Sequence, residues 1–249
     1  MNLPLPSVLR RALLATLLVT TAFGASQNAA IVPEPRSAAW VTRHEGFVEI
    51  ARKGNVDLLF LGDSITDAWR TAGKGKEIWD REFAPLRAAN FGISGDRTQH
   101  VLWRIQNGEL DGISPKVIVM MIGTNNTGFE PDKTTLRSKP AEIVEGVSTI
   151  LKTIKTKLPK TKVLLLAVFP RGEKPDHPQR LQVNQVNAGL AKLANGKNVQ
   201  YLDIGAKFLA ADGTLPKDIM PDSLHPNAAG YEIWAKEIKK PVTALLKAR

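Results

Sequence analysis

The chain contains no cysteine. That absence excludes disulfides, thiolate zinc sites, cysteine nucleophiles and thiol-linked lipids, so stability must come from an apolar core. Histidine is scarce too: His44, His100, His177 and His225 are scattered, with no HExxH or comparable ligand spacing. No metal and no cofactor are expected from such a set. Also missing is any aromatic-interleaved basic motif of the kind that reads nucleic acid, although the formal net charge is +10. Lysines such as Lys152, Lys155 and Lys157 are spread through helical stretches, which reads as a solvated basic face with a weak pull on anionic surfaces. Nucleic acid is not an expected partner.

The chain also lacks a comfortable bilayer span. Its leading apolar run, Ala12 to Val19, is short, follows Arg10 and Arg11, and precedes the small residues Ala22, Gly24 and Ala25. This is the pattern of a secretory signal over residues 1–25, cleaved between Gly24 and Ser26, and it implies a secreted or periplasmic protein with no stable membrane insertion afterwards. An uncleaved anchor is the competing reading. A polar, proline-containing leader is expected over 26–45, and one catalytic-type domain over 46–249.

What is present is enough for one sizeable core: 249 residues with 43% hydrophobic content. Apolar, β-branched runs at 56–61, 88–93, 117–122, 163–169 and 199–204 read as buried parallel strands. Helical patterns separate them over 98–106, 143–158, 181–193 and 231–246. Strands alternating with helices predict right-handed crossovers and a three-layer α/β/α sandwich. Ligands in such sheets bind outside the carboxyl ends of the strands. Here those ends read Gly62-Asp63-Ser64, Gly92-Ile93-Ser94-Gly95-Asp96, Gly123-Thr124-Asn125-Asn126 and Pro170-Arg171-Gly172.

Ser64 stands where a buried strand stops, the position that exposes a nucleophile, provided a base and oxyanion donors are near. Otherwise it is a helix cap. The candidate base is His225, with Pro226 after it disfavouring helical geometry and fitting the first position of the last helix. Asp222, three residues earlier, can orient the imidazole. Gly95 can offer an unobstructed backbone N–H and Asn125 a side-chain amide to an oxyanion. Singly, each has an ordinary reading as a turn or capping residue. Asp63 and Asp96 are expected to bond backbone amides and organise their loops. His100 and Arg104 read as structural, and Trp69, Trp79 and Trp103 as core rather than an apolar wall of the site. Arg171 and Lys174 read as a solvated loop, with contact to an anionic substrate as the alternative.

These segments, with Asn90-Phe91-Gly92, His100-Val101-Leu102-Trp103-Arg104, Gly108-Glu109-Leu110 and Asp222-Ser223-Leu224-His225-Pro226, resemble the SGNH or GDSL hydrolase family. Within it the pattern is similar to the catalytic subunits of platelet-activating-factor acetylhydrolase and their bacterial relatives. The resemblance runs from about Asp57 to the last helix. It implies a flavodoxin-like fold with a five-stranded parallel sheet. It implies Ser64 as nucleophile, His225 as base, Asp222 as its partner, and an oxyanion hole of Ser64, Gly95 and Asn125. It also suggests a homodimer. Position 94 departs from the pattern, being serine where glycine is frequent. The expectation is an exported serine esterase removing a short acyl group, acetyl first, from a small-molecule or carbohydrate ester. A lipid acetylhydrolase or lysophospholipase is the enzymatic alternative, and an inactive binding module the non-enzymatic one.

Overall fold

The computed structural model describes Met1 and residues 27–248; apart from Met1, the expected signal peptide lies outside the described residues. Five parallel strands form one sheet in the order β2-β1-β3-β4-β5: β1 is Leu58–Gly62, β2 Ala88–Gly92, β3 Val117–Met121, β4 Lys162–Leu166 and β5 Val199–Leu202. This is the doubly wound, flavodoxin-like order, with the topological switch at β1 and β3. The expected three-layer architecture is therefore the observed one.

The strands read as unbroken apolar runs because both faces are covered. Leu59 and Leu61, with Ile118 and Met120, pack against helices α1 (Ala38–Lys53), α4 (Thr98–Gln106), α5 (Pro140–Lys157) and α6 (Pro178–Leu190). Leu58 and Phe60, with Val117 and Val119, pack against α2 (Ser64–Asp67), α3 (Lys76–Glu82) and α7 (Ala228–Lys247). The period-2 alternation of a strand divides the two cores. Trp69 is fully buried in the second core, tilted against Trp234 at 4.8 Å and edge-on to Phe60 at 6.1 Å. Trp79 packs half-buried against the same core and Trp103 against the first, so the tryptophans are core residues.

Within the expected leader, residues 27–45 belong to the folded domain. Ala30 and Trp40 are buried, and α1 starts at Ala38, inside that stretch. Sequence pattern hides this because α1 carries few apolar residues; its anchors are Trp40, Phe47 and Ala51, one helical face. α1 then becomes a wall of the functional cleft.

Pairing of Gly62 with both Gly92 and Met121 brings the ends of β2, β1 and β3 level. A Cβ at Gly92 would lie 2.3 Å from the Asp67 amide nitrogen, so only glycine lets α2 lie this close to β2. Asn90 closes the same contact, its Nδ2 donating to the Thr66 carbonyl at 2.9 Å.

Candidate active site

Ser64 opens α2, two residues past the end of β1, with Asp63 between them as the capping residue. Asp63 caps the helix: its Oδ1 accepts from the Ile65 amide at 3.0 Å. The expectation for Asp63 holds, with an added feature. The residue is 1% exposed, its Oδ2 has no partner among the described residues, and burial pushes its carboxyl up to about 7 against the opposing pull of the Ile65 amide.

Ser64 Oγ lies 2.9 Å from His225 Nε2, and His225 Nδ1 lies 2.6 Å from Asp222 Oδ2. An ionised carboxylate only accepts, so Nδ1 carries the proton and Nε2 is left to accept from the serine hydroxyl. Asp222 Oδ1 also accepts from the Leu224 and His225 amides at 3.0 and 2.7 Å, so the turn and the imidazole share one anchor. Partial burial alone would raise the Asp222 carboxyl; the bonds from the His225 ring and amide bring it below its ordinary value. The turn is tight enough to hold Ser223 at φ 56°. It is tied to the β4 loop, where the Gly172 amide donates to the Ser223 carbonyl at 2.8 Å. Helix α7 begins at Ala228, three residues before the 231–246 pattern and two after Pro226, the expected first position. Asn227 caps it, accepting from the Gly230 amide at 3.1 Å, while Pro226 stays outside the helix. With Asn227 as the cap, Pro226 belongs to the turn rather than to the helix.

Gly95 sits at φ 82°, a left-handed backbone that favours glycine, and its open side faces the Arg36 guanidinium, whose Nη2 would lie 2.9 Å from a Cβ there. Asn125 Nδ2 donates to the Asp96 carbonyl at 2.9 Å, joining the β2 and β3 ends; the amide's second N–H remains for another acceptor. Asn126 braces the same edge, its Oδ1 accepting from the Thr98 amide at 2.9 Å.

Asp96 does not bond backbone amides through its side chain, contrary to expectation. Its carboxylate accepts from Trp40 Nε1 at 2.7 Å, Arg36 Nη1 at 3.1 Å and Arg104 Nε at 2.9 Å. Burial raises this carboxyl while Arg104, Trp40 and Arg36 pull it back. Arg104 is fully buried, reaches Glu109 through Nη1 and the Gly62 carbonyl through Nη2, and so ties the ends of β1 and β2 together. His100 is structural, as expected: its Nδ1 accepts from the Arg97 amide at 3.0 Å, and burial beside Arg36, Arg97 and Arg104 pushes it down to about 3. Arg171 is not a solvated residue. It is half-buried and donates to the Thr124 carbonyl at 2.9 Å and the Thr127 hydroxyl at 3.2 Å, bracing the β3 end. Lys174 is exposed. Sequence reasoning missed the Arg36 and Trp40 anchors of Asp96, because nothing local marks a contact spanning 56 positions.

A cleft of about 920 Å³ opens from Ser64, Ser94 and His225 between α1 and the segment following α2, with Arg43, Phe47, Asp67, Arg70 and Lys74 along it. Among the described residues, no helix is long and apolar enough to cross a membrane.

The sequence profile of the GDSL-like lipase/acylhydrolase family matches residues 60–233. The human platelet-activating factor acetylhydrolase IB subunit alpha2 is 38% identical over 211 residues, covering 84% of this chain and 85% of the relative. The human alpha1 subunit of that enzyme is 36% identical over 193 residues, covering 77% and 78%. A GDSL-like lipase from Bacteroides thetaiotaomicron superposes with a TM-score of 0.62 at 19% identity, over 83% of this chain and 96% of the other. An acetyl xylan esterase from Geobacillus stearothermophilus does so at 0.59 and 21% identity, over 76% and 94%. At such identity the superpositions speak for the fold.

Proposed function

The chain belongs to the GDSL-like lipase/acylhydrolase family and is a carboxylic ester hydrolase; from that premise we propose that Ser64, His225 and Asp222 form its catalytic triad and that it removes short acyl groups, acetyl first. The observation that carries this reading is the continuous hydrogen-bonded chain from Ser64 Oγ through His225 to Asp222, at 2.9 and 2.6 Å.

Ser64 Oγ attacks the ester carbonyl as its proton passes to His225 Nε2. The negative charge developing on the carbonyl oxygen is met by the Ser64 and Gly95 N–H groups and the Asn125 amide. His225 then gives its proton to the departing alcohol, leaving the acyl group on Ser64. A water, deprotonated by the same nitrogen, attacks the acyl-serine, and collapse of the second tetrahedral adduct returns the proton to Ser64 and frees the acid. Asp222 keeps the imidazole in the working tautomer and stabilises its cationic form.

The acetyl preference is supported by the names of the acetylhydrolase relatives at 36–38% identity. Export, suggested by the leading segment, and the absence of a long apolar lid in the sequence favour a carbohydrate O-acetyl ester as the natural substrate. The relatives' lipid-mediator name favours a second reading, a lipid acetylhydrolase. An acyl-length series on nitrophenyl esters separates short-acyl from long-acyl specificity: activity should fall beyond acetyl and propionyl. A rise past about eight carbons would assign the enzyme to long-chain lipids, since each buried CH₂ adds binding energy. The triad is tested by Ser64→Ala, expected to lower kcat by at least about a thousandfold while an organophosphonate labels only the unsubstituted protein. Unchanged hydrolysis in Ser64→Ala would remove Ser64 from the mechanism.

A further inference from the structure

The cleft beside Ser64 is unevenly charged. Arg43, Arg70 and Lys74 line it with one carboxylate, Asp67. Asp67 has no acceptor capacity to spare. Its Oδ1 accepts from Arg43 Nη2 at 2.6 Å and Arg70 Nη2 at 2.7 Å, and its Oδ2 from the Ser94 amide at 3.2 Å and the Ser94 hydroxyl at 2.9 Å. Arg70 is further committed to the Asn90 and Gly92 carbonyls. Two cations remain for a ligand. Arg43 uses one nitrogen of its guanidinium on Asp67 and keeps a side chain 43% exposed. Lys74 is half-buried and, among the described residues, in no salt bridge, whereas its neighbour Lys76 pairs with Asp80.

Two unbalanced positive charges in a concave wall focus a field that concentrates anions. The Arg43 fork matches the two oxygens of a carboxylate or phosphate, and Lys74 supplies a point charge. The cleft volume of about 920 Å³ greatly exceeds an acetyl group, so it suits the alcohol half of the ester. Ser94 contributes indirectly: both its donors hold Asp67 Oδ2, and so they anchor the carboxylate that Arg43 and Arg70 share through Oδ1.

We propose that Arg43 and Lys74 form an anion subsite for the leaving alcohol, so that the preferred substrates are esters whose alcohol half carries a carboxylate or a phosphate. This rests on the esterase reading above and deepens it by naming the alcohol's chemistry. The same oxyanion occurs on acidic sugars and on phospholipid headgroups.

The test compares 4-carboxyphenyl acetate, its uncharged methyl ester and the 4-trimethylammonio analogue at low ionic strength. The anionic ester should have the highest kcat/KM, through KM, and its advantage should shrink in 0.5 M salt. Lys74→Glu should lower the ratio of anionic to neutral kcat/KM by roughly five- to tenfold and raise the cationic ratio. Gly46→Phe provides a neutral control on the cleft itself. A Cβ at Gly46 meets nothing within 4 Å and Gly46 lines the cleft, so with the fold checked by circular dichroism the added ring should raise KM for all three bulky alcohols together. Equal kcat/KM for the three esters, unmoved by Lys74→Glu, would overturn the subsite while leaving the esterase intact. Calorimetric binding of 4-hydroxybenzoate to Ser64→Ala gives the opposite separation: Lys74-dependent binding without hydrolysis in the unsubstituted enzyme would strike the esterase reading alone. Acetylated sugar phosphate and micellar acetylated glycerophospholipid then identify the source of the anion, because a charge-dependent preference should appear in one of them.

Discussion

Asp96 and Asp222 both stand at the carboxyl edge of the sheet and both contact a basic side chain, yet Asp96 is sealed from water while the Asp222 side chain is 56% exposed. Asp96 shares Arg104 with Glu109, all three fully buried. Removing such a group from water is costly, and its charges must be matched by short contacts that do not move. Asp222 keeps solvent on one side, and its partner can gain and lose a proton without stranding a charge. The first contact fixes a loop, holding Gly95 and the Asp96 carbonyl that receives Asn125. The second, on the proposed mechanism, handles protons. The same carboxylate serves different ends according to how much water it keeps.

Asp222→Asn should give the largest effect on function. The amide cannot fix the tautomer, so kcat should fall by about 10³ to 10⁴ while the melting temperature hardly moves. A loss below about tenfold would deny Asp222 its orienting role. Arg104→Met attacks the buried member of the comparison and should reverse that profile. Glu109 loses the cation it pairs with and Asp96 keeps only Arg36, and urea unfolding should show a loss of about 3–5 kcal/mol. A loss under about 1 kcal/mol would mean that the cluster is dispensable to the fold.

Asp63 sharpens the contrast, being buried with no cation bonded to it. Its folded pKa of about 7 lies above the ordinary carboxylate value, so the folded state holds the proton more tightly than the unfolded chain. The resulting stabilisation is complete below about pH 4 and is lost as pH rises towards 7, by up to about 4 kcal/mol. Asp63→Asn keeps the cap acceptor and cannot ionise, so its stability relative to the unsubstituted protein should rise from pH 5 to pH 8 in paired urea melts. A flat difference would show the carboxyl to be ionised throughout. Smallest of all is the exposed pair Arg81–Glu232, joined at 2.9 Å on the surface of α3 and α7. Arg81→Ala should leave the melting temperature within replicate scatter.

Much of the site was legible because its chemistry is local. Asp222 and His225 lie in one turn, and Ser64 follows a run of apolar residues that can only be a buried strand. The five strands were legible for the same reason, and so was the division into helices between them. The supports of the site were not. Trp40 and Arg36 reach Asp96 across about 60 positions, and a helix as polar as α1 carries no signal that it belongs to the domain. Arg171 reads as a loop cation until its donors are seen on Thr124 and Thr127. Asp96 has the composition of a turn residue and the environment of a core one.

By itself the sequence determined the parallel sheet, the strand ends that face the site, and the identity of the candidate nucleophile, base and acid. Hydrophobic periodicity and short turn motifs act over a few residues and can be read in one dimension. Only the tertiary structure decided which carboxylates are dry and which are wet, and which cations are already spent. The raised carboxyl of Asp63, the bracing of the Gly95 loop and the lack of a salt bridge at Lys74 among the described residues depend on burial and on partners distant in the chain. Those are set by packing, because the cost of a charge depends on the water it loses and not on the letters beside it.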